Sequence, residues 1–301
     1  MNIAEMTAKM GEGKGFIAAL DQSGGSTPKA LKAYGIEDGA WSSDEEMFAL
    51  IHAMRVRIIT APAFTGDKVL AAILFERTMD GAADGRPVPQ ALHDRGIVPF
   101  LKIDKGLEAE ADGVQLMKPI PGLDVLLVRA KALGVFGTKE RSVVNLANRD
   151  GIEKIVAQQF EIADQVAAQG MMPIIEPEVN IKSPERADAD RLLVAAIEAA
   201  LNEDRSGPQV MLKLSLPAER GIYEPLIRHP RVLRVVALSG GFNRPDACAE
   251  LARNKGMIAS FSRALLEDLR DQMSDAEFDA ALRQAIDQIY TASVDKAPDA
   301  A

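Results

Sequence analysis

The sequence has few of the residues that build disulfides, metal clusters or membrane spans. Its single cysteine, Cys248, excludes an internal disulfide and a zinc site made of cysteines. The three histidines, His52, His93 and His229, stand apart and form no HExxH or similar ligand motif. No stretch approaches the roughly 20 apolar residues of a membrane span, and the first residues lack an apolar signal segment. We therefore expect a soluble cytoplasmic protein without a bound metal.

Clustered basic residues are scarce as well. The 301 residues carry a formal net charge of −9, whereas binding to nucleic acid or to an acidic membrane requires grouped Lys and Arg. An anionic small-molecule substrate would therefore need a locally basic cleft. The glycine-rich turns match neither the Walker nor the dinucleotide-binding pattern, so no nucleotide cofactor is expected.

What the sequence does contain is a regular alternation of short apolar runs with longer amphipathic stretches. This alternation is typical of a parallel sheet whose crossover connections are helices. Eight such runs occur, at 16–20, 72–75, 97–103, 142–146, 172–175, 210–216, 233–238 and 257–261. Eight strands with helical crossovers predict a closed (β/α)8, or TIM, barrel. Because no Pro/Gly-rich linker divides the chain, we expect one domain over residues 1–301, with a frayed tail at 296–301.

Several helices have recognisable start and stop signals. Apolar residues recur at helical spacing over 151–170, where Gly170 can supply a left-handed cap. Residues 44–59 predict a helix before the second strand. Ser183, which a proline follows, is typical of a helix start, and Ser274 begins a capping-box sequence.

Several apolar runs contain or end in charged or polar side chains, which a packed barrel interior does not normally hold. Active sites of such barrels lie at the carboxyl ends of the strands, so these side chains can converge on one cleft. The candidates are Asp21, Lys102, Lys139, Arg141, Glu176, Glu178, Lys213, Ser239 and Arg263.

Lys213 lies within the apolar run VMLKLSL. Strand alternation places Met211, Lys213 and Ser215 on one face and the leucines on the other. Desolvation and nearby cations would favour the neutral amine, which can attack a carbonyl and form an imine. The alternative is a lysine that reaches solvent or pairs with a carboxylate.

Two further strands offer partners for such a lysine. Glu176 and Glu178 share one face, and imine chemistry needs a positioned acid/base. Lys139 and Arg141 also share a face and suit an anionic substrate or an oxyanion. Alternatively, the glutamates balance these cations in a structural ion network, or the cations are ordinary surface charge.

Phosphate has two candidate docking points. The SGG segment at 239–241 can expose backbone N–H groups at a strand end, and Arg263 follows the next apolar run. The second point is the turn 21–26 together with Lys102. A tight turn, or a turn with a helix cap, is the alternative reading of either segment.

Motifs along most of the chain are similar to those of one enzyme family. In order they are AALDQSGGS, ILFERT with DGRPVPQ, FLKIDKG, TKERSVV, PIIEPEV, MLKLSL, ALSGG and SFSRAL. Over roughly residues 15–269 they resemble the Schiff-base-forming, or class I, fructose-bisphosphate aldolases, in particular the shorter bacterial members. The resemblance implies reversible cleavage of fructose 1,6-bisphosphate to dihydroxyacetone phosphate and glyceraldehyde 3-phosphate, with no cofactor. It leaves a homo-oligomer open.

The resemblance also implies residue roles. Lys213 would form the Schiff base and Glu176 would be the principal acid/base, with Glu178 beside it. Asp21 would handle the substrate hydroxyl during carbon–carbon cleavage, and Lys139 would assist the imine chemistry electrostatically. The substrate-binding residues would be Arg141 in the same cleft, Ser239, Gly240, Gly241, Ser260 and Arg263 at one phosphate, and Ser23, Ser26 and Lys102 at the other.

The chain departs from the better-known animal pattern at several positions. Gln22 stands where a Glu commonly follows the Asp, Leu214 and Ser215 replace Pro-Asn, and Ser262 replaces a Gly. The tail also ends without the tyrosine that assists proton exchange in the animal enzymes. These departures leave substrate preference open. The alternatives are another Schiff-base sugar-phosphate aldolase, a transaldolase, or a noncatalytic barrel that binds sugar phosphates.

Overall fold

The centre of the molecule is a closed barrel of parallel strands. A computed structural model describes residues 1–204 and 206–298. The strands are β1 (Phe16–Leu20), β2 (Val69–Leu74), β3 (Ala82–Ala83), β4 (Arg86–Pro87), β5 (Val98–Lys102), β6 (Val114–Gln115), β7 (Gly137–Val144), β8 (Met172–Val179), β9 (Val210–Ser215), β10 (Val232–Leu238) and β11 (Met257–Phe261). Eight of them pair in the order β1-β2-β5-β7-β8-β9-β10-β11, and β11 returns to β1. The predicted (β/α)8 barrel is confirmed.

Helices cover the outside of this barrel. They are α1 (Ile3–Glu12), α2 (Ser26–Tyr34), α3 (Asp44–Thr60), α4 (Glu76–Met79), α5 (Val88–Asp94), α6 (Leu123–Ala132), α7 (Arg149–Ala168), α8 (Arg186–Glu203), α9 (Glu224–Ile227), α10 (Arg244–Ala252), α11 (Arg263–Leu266) and α12 (Asp275–Val294). The strands β3 and β4 form a small antiparallel hairpin, and β6 pairs antiparallel with β7.

The helix α1, which the sequence analysis did not predict, covers the amino-terminal end of the barrel. Its start is fixed by a capping box between Asn2 and Glu5. Met6 and Met10 pack into the apolar cluster that fills the barrel interior. Arg234 on β10 donates from Nε to the Met10 carbonyl at 2.9 Å, which ties the helix to a barrel strand. The helix α1 leaves the opposite end of the barrel, where the strands end, available for an active site.

The barrel strands are buried on both faces. Inward-facing residues such as Ile17, Phe100 and Met211 form the interior cluster, whereas Leu212 and Leu214 belong to the larger cluster between barrel and helices. Because side chains alternate along a strand, each inward-facing series ends at the carboxyl end of its strand. The polar candidates Asp21, Lys102, Lys139, Glu176 and Lys213 continue these inward-facing series.

Some predicted boundaries are wrong. The strand β2 begins at Val69 rather than 72, β7 at Gly137 rather than 142, and β8 continues to Val179 beyond 175. The cause is clearest in β7, where Lys139 and Arg141 precede the apolar run at 142–146 but are paired with Glu176 and Glu178 of the neighbouring strand β8. Charges compensated in this way let the strand begin earlier than the hydrophobic pattern indicates.

Of the predicted helix-boundary signals, those at Gly170 and Ser274 are confirmed and that at Ser183 is wrong. Gly170 adopts a left-handed φ of 72° just after α7, and Ser274 forms its capping box with Glu277, as predicted. The helix start predicted at Ser183 is wrong, because α8 begins at Arg186 and the Ser183 hydroxyl instead accepts from the Glu185 N–H within the preceding turn.

The chain end is tied down as far as it is described. Lys296 Nζ donates to the Leu251 and Ala292 carbonyls at 3.0 Å, and the Ala297 N–H donates to the Ala252 carbonyl at 2.8 Å. Fraying beyond this point stays a prediction, because residues 299–301 lie outside the described part.

Candidate active site

Strand register brings the charged candidates to one end of the barrel. Lys102 on β5 lies opposite Lys139 on β7, and Arg141 on β7 lies opposite Glu176 on β8. On β9, Lys213 lies opposite Val236 of β10. Lys102 is the last residue of β5 and lies level with Lys139 in the longer β7, so these side chains meet toward the carboxyl end of the barrel, where barrel active sites are found.

A buried chain of ion pairs connects the central residues. Glu176 lies between two lysines, with Oε1 at 3.0 Å from Lys213 Nζ and Oε2 at 2.9 Å from Lys139 Nζ. Lys139 Nζ also lies 2.7 Å from Asp21 Oδ2. Each of these four side chains is at most 10% exposed. The structure therefore brings the four main predicted catalytic residues into one cluster.

The two carboxylates of this cluster are held ionised by the lysines. Burial alone would raise the pKa of Asp21 and of Glu176, because a carboxylate is poorly solvated in the interior. The charges of Lys139 and Lys213 outweigh burial and leave both pKa values below their ordinary range. Burial lowers the pKa of Lys139 in turn, but Asp21, Glu176 and Asp104 more than reverse that effect and raise it. Lys139 is thus a stable cation next to Lys213.

Asp104 is a member of the cluster that the sequence analysis missed. Its Oδ1 lies 2.6 Å from Lys102 Nζ, and its Oδ2 lies 4.0 Å from Lys139 Nζ. Burial lowers the pKa of Lys102, and the Asp104 charge opposes that shift. The signal was present in the motif FLKID, because Asp104 follows Lys102 by two residues and so faces the same way.

A second ion pair extends the cluster toward solvent. Arg141 Nε donates to Glu178 Oε2, and the Arg141 side chain is 40% exposed. Arg141 is therefore the more accessible cation, while Lys139 is buried. Next to this pair, the Ser215 hydroxyl donates to the Val179 carbonyl at 2.6 Å and ties β9 to β8.

At the predicted phosphate point after β10, the glycine turn and Arg263 lie close together. Gly240 and Gly241 have φ values of 59° and 121°, a region that favours glycine. A Cβ built on Gly241 would lie 3.5 Å from Arg263 Nη2, so the exposed guanidinium stands beside the glycine turn. Ser239 is buried next to this turn, and Ser260 is buried in β11. Among the described residues, the Ser260 hydroxyl oxygen has no hydrogen-bond partner.

The second predicted phosphate point is assembled only in part. The Ser26 hydroxyl donates to the Ser23 carbonyl at 2.8 Å and accepts from the Ser23 N–H at 2.9 Å, so the two serines hold one turn together. Lys102 instead donates to the Asp104 carbonyl and carboxylate at 2.9 and 2.6 Å. In the part of the chain that is described, no hydrogen bond joins Lys102 to either serine.

Glu140 faces away from the cluster, into the layer between barrel and helices. It is fully buried, and the Thr138 hydroxyl donates to its Oε2 at 3.3 Å. Burial, followed by the nearby Asp104 charge, raises the pKa of Glu140 well above its ordinary range. Burial therefore favours the protonated form of Glu140, which lies directly between Lys139 and Arg141 in sequence.

Neither a metal-binding group nor a membrane-spanning helix occurs in residues 1–204 and 206–298. No cluster of three or more His, Cys, Asp and Glu side chains there is arranged to hold a metal ion. None of the helices in these ranges is long and apolar enough to cross a membrane.

Fold and site together define a class of protein, a (β/α)8 barrel whose interior presents a lysine next to a carboxylate. The model of the family "Fructose-bisphosphate aldolase class-I" matches residues 2–199. Fructose-bisphosphate aldolase class 1 of Synechocystis sp. is 56% identical over 291 residues, which cover 96% of this chain and 97% of that protein. The chain therefore belongs to the class-I fructose-bisphosphate aldolase family, as its motifs indicated.

Solved structures agree on the fold. A fructose-bisphosphate aldolase from Plasmodium falciparum, crystallised with TRAP and a small-molecule inhibitor, matches with a TM-score of 0.80 at 21% identity. The match covers 99% of this chain and 95% of that one. A Corynebacterium glutamicum protein matches with a TM-score of 0.55 at 16% identity, over 96% and 92% of the two chains. At such identities the likeness shows the barrel alone.

Proposed function

We propose that this chain cleaves fructose 1,6-bisphosphate reversibly to dihydroxyacetone phosphate and glyceraldehyde 3-phosphate, through a Schiff base on Lys213. The observation that carries the proposal is the contact of Lys213 Nζ with Glu176 Oε1 at 3.0 Å, with Lys139 on the other carboxylate oxygen. Membership in the family and 56% identity to a fructose-bisphosphate aldolase support the choice of substrate.

The proposed reaction begins at the ketose carbonyl. Glu176 accepts a proton from Lys213, the neutral amine forms a bond to the carbonyl carbon as the C=O π bond breaks, and protonated Glu176 returns the proton to the oxygen. Loss of water, again with Glu176 moving the proton, leaves an iminium. The buried cation Lys139 orients Glu176 and stabilises its carboxylate form during these transfers.

Cleavage then uses the iminium as an electron sink. The substrate C4 hydroxyl gives its proton to Asp21, the C3–C4 bond breaks, and its electron pair moves into the iminium to form an enamine. Glyceraldehyde 3-phosphate leaves first. The enamine takes a proton at carbon, and water hydrolyses the resulting iminium to release dihydroxyacetone phosphate and regenerate Lys213. Every proton in this scheme moves between groups of the chain, the substrate and water.

The phosphates would be bound at the barrel mouth. One would lie between the N–H groups of the 239–241 turn and Arg263, with the Ser260 hydroxyl available as a further donor. The other would approach Lys102 and the turn that carries Ser23 and Ser26. Because Lys102 is held by Asp104 at 2.6 Å, binding there requires Lys102 to exchange this partner for phosphate.

The wider setting follows from this reaction. As a fructose-bisphosphate aldolase, the enzyme would serve both glycolysis and gluconeogenesis, and we place it in the cytoplasm. Its oligomeric state stays a prediction, with a homo-oligomer open. Comparing turnover of fructose 1,6-bisphosphate, fructose 1-phosphate and transaldolase substrates would separate this function from another sugar-phosphate aldolase or a transaldolase. An absence of turnover with all of them would favour a noncatalytic barrel.

Chemical trapping tests the mechanism directly. Borohydride added with dihydroxyacetone phosphate should inactivate the protein irreversibly and leave a reduced substrate adduct on Lys213, located by peptide mass spectrometry. Lys213→Met should abolish the adduct and keep the fold, because methionine fills similar space without a nucleophile. Lys154→Met, on an exposed lysine of α7, is the matched control and should be labelled normally. An adduct on Lys102 or Lys139 would overturn the site assignment, and no adduct would overturn the imine.

A further inference from the structure

Arg55 is a buried cation near the candidate active site, and it takes no part in the proposed chemistry. It belongs to α3 and is fully buried. Its hydrogen-bond partners among the described residues are uncharged oxygens of Thr78 and Gln22, although a buried charge is normally paired with an opposite one. Burial lowers the pKa of Arg55 to about 10, and the charge of Asp21 opposes that shift.

Oxygen atoms from two other elements accept from the two terminal nitrogens of this guanidinium, whereas the buried Nε has no hydrogen-bond partner among the described residues. Nη1 donates to the Thr78 hydroxyl of α4 at 2.9 Å. Nη2 donates to the Gln22 main-chain carbonyl and lies 3.4 Å from Gln22 Oε1. Because arginine can only donate, Gln22 must turn its amide oxygen toward Arg55 and its amide nitrogen away.

The Gln22 amide nitrogen reaches across to a different strand end. Its Nε2 donates to Ser262 Oγ at 2.6 Å, over a separation of 240 residues in sequence. Gln22 directly follows Asp21, and Ser262 directly precedes Arg263. One side chain therefore joins the loop after β1, which carries Asp21, to Ser262, which connects β11 to Arg263 at the start of α11.

We propose that Arg55, Gln22 and Ser262 form a positioning bridge that fixes the loop after β1, which carries Asp21, against the start of α11, which carries Arg263. The inference rests on the proposed function, because it assumes that Asp21 acts on the substrate hydroxyl and that Arg263 binds phosphate. None of the three bridge residues has a role in the proposed reaction or in the proposed phosphate contacts. It sets the distance between the group that acts on the hydroxyl and the group that anchors the phosphate, and catalysis is sensitive to such spacing.

The coupling can be measured without any activity. Hydrogen–deuterium exchange should be followed in residues 22–27, where the Ser26 and Thr27 N–H groups are hydrogen-bonded, and in residues 262–266, where the Leu265 N–H donates to the Ser262 carbonyl. Ser262→Ala should speed exchange in 22–27, and Gln22→Ala should speed exchange in 262–266, each by about fivefold to tenfold for one lost hydrogen bond. Gln90→Ala, whose amide donates to Asp94 on α5, is the matched control and should change neither segment.

The values of kcat/KM for the single and double variants provide the second measurement. Gln22→Ala and Ser262→Ala should each lower kcat/KM for fructose 1,6-bisphosphate by about tenfold, and the double variant should lose no more than the worse single variant. Arg55→Lys keeps the charge but offers one nitrogen, so it should speed exchange in both segments. If that variant does not fold, the Gln22 and Ser262 variants still decide.

Two results would overturn the bridge: exchange that changes only in the mutated segment, or losses in kcat/KM that multiply to about a hundredfold in the double variant. A wild-type chain without aldol cleavage would instead overturn the proposed function. The exchange measurement would still decide whether the bridge exists, so the two failures are distinguishable.

Discussion

Replacing Lys139 by methionine tests how the buried cluster is held together. The Lys139 ammonium lies 2.7 Å from Asp21 Oδ2, 2.9 Å from Glu176 Oε2 and 4.0 Å from Asp104 Oδ2. Methionine fills a similar volume but removes the charge, so the change is electrostatic rather than a loss of packing. After the change, Glu176 keeps Lys213 and Asp104 keeps Lys102. Asp21 alone loses the one cation that contacts it within residues 1–204 and 206–298.

The expected loss follows from that single unpaired carboxylate. Removing one partner of a buried ion pair costs about 3–5 kcal/mol. For a chain of this size each kcal/mol lowers Tm by about 2 °C, so Lys139→Met should lower Tm by about 6–10 °C at pH 7.

The pH dependence has a defined sign. In the wild type, Lys139 holds the pKa of Asp21 and Glu176 below their ordinary values of 3.8 and 4.5. Their pairing therefore adds stability that is fully present above those ordinary values and is lost as pH falls through the lowered ones. In the variant, protonation of Asp21 relieves the unpaired charge. The gap in Tm should be full at pH 7 and should close from about pH 5 downward.

Thermal unfolding followed by circular dichroism, from pH 7 down to about pH 3, measures this gap. Asp21→Asn added to Lys139→Met should recover part of the loss, because it removes the unpaired charge. Lys154→Met, with its lysine 58% exposed, should leave Tm nearly unchanged and serves as the control. A loss that stays constant down to pH 3, or a double variant no more stable than Lys139→Met, would refute the reasoning.

Three further predictions follow from the same site. Exhaustive chelation should leave aldol cleavage intact, because the iminium replaces a metal as electron sink; activity lost with EDTA and restored by a divalent ion would contradict this. Arg263→Ala should lower kcat/KM for phosphorylated substrate by at least about tenfold with little change in Tm, because an exposed charge-assisted contact is lost; equal losses with an unphosphorylated substrate would reject that role. Glu140→Gln should raise Tm at pH 7 and have little effect near pH 4. In the wild type, the raised pKa of Glu140 lowers the free energy of unfolding by about 1.4 kcal/mol for each pH unit between 4.5 and the folded-state pKa. A Tm gain independent of pH would disprove this.

Much of the site could be predicted because strand alternation is a local rule. Lys213 and Glu176 each interrupt or end an apolar run, and their parity within the run determines that they face inward. Barrel closure then brings inward-facing strand ends together, whatever their separation in sequence. The same rule reaches Asp104, which was missed only because its two-residue offset from Lys102 was not followed beyond the strand.

Arg55 could not be predicted in this way. Along α3 it reads as an ordinary helix cation, and its partners come from a loop and from another helix, 33 and 23 residues away. Burial of an arginine depends on whether oxygen atoms meet it in space, and hydrophobic periodicity contains no information about that. The start of β7 was mispredicted for a related reason, since Lys139 is tolerated inside a strand only because Asp21 and Glu176 arrive from other strands.

Two of the departures from the animal pattern meet in space. Gln22 and Ser262 appear independent in sequence, yet the Gln22 amide donates to the Ser262 hydroxyl at 2.6 Å. A glycine at position 262 would offer no side-chain partner, so the contact requires the serine. A glutamate at position 22 could still accept from the Ser262 hydroxyl, but the direction of the hydrogen bond would be reversed. In the proposed bridge, Arg55 fixes the amide oxygen of Gln22, and the amide nitrogen in turn fixes the Ser262 hydroxyl. The position of Arg263, the next residue, then depends on this hydrogen bond.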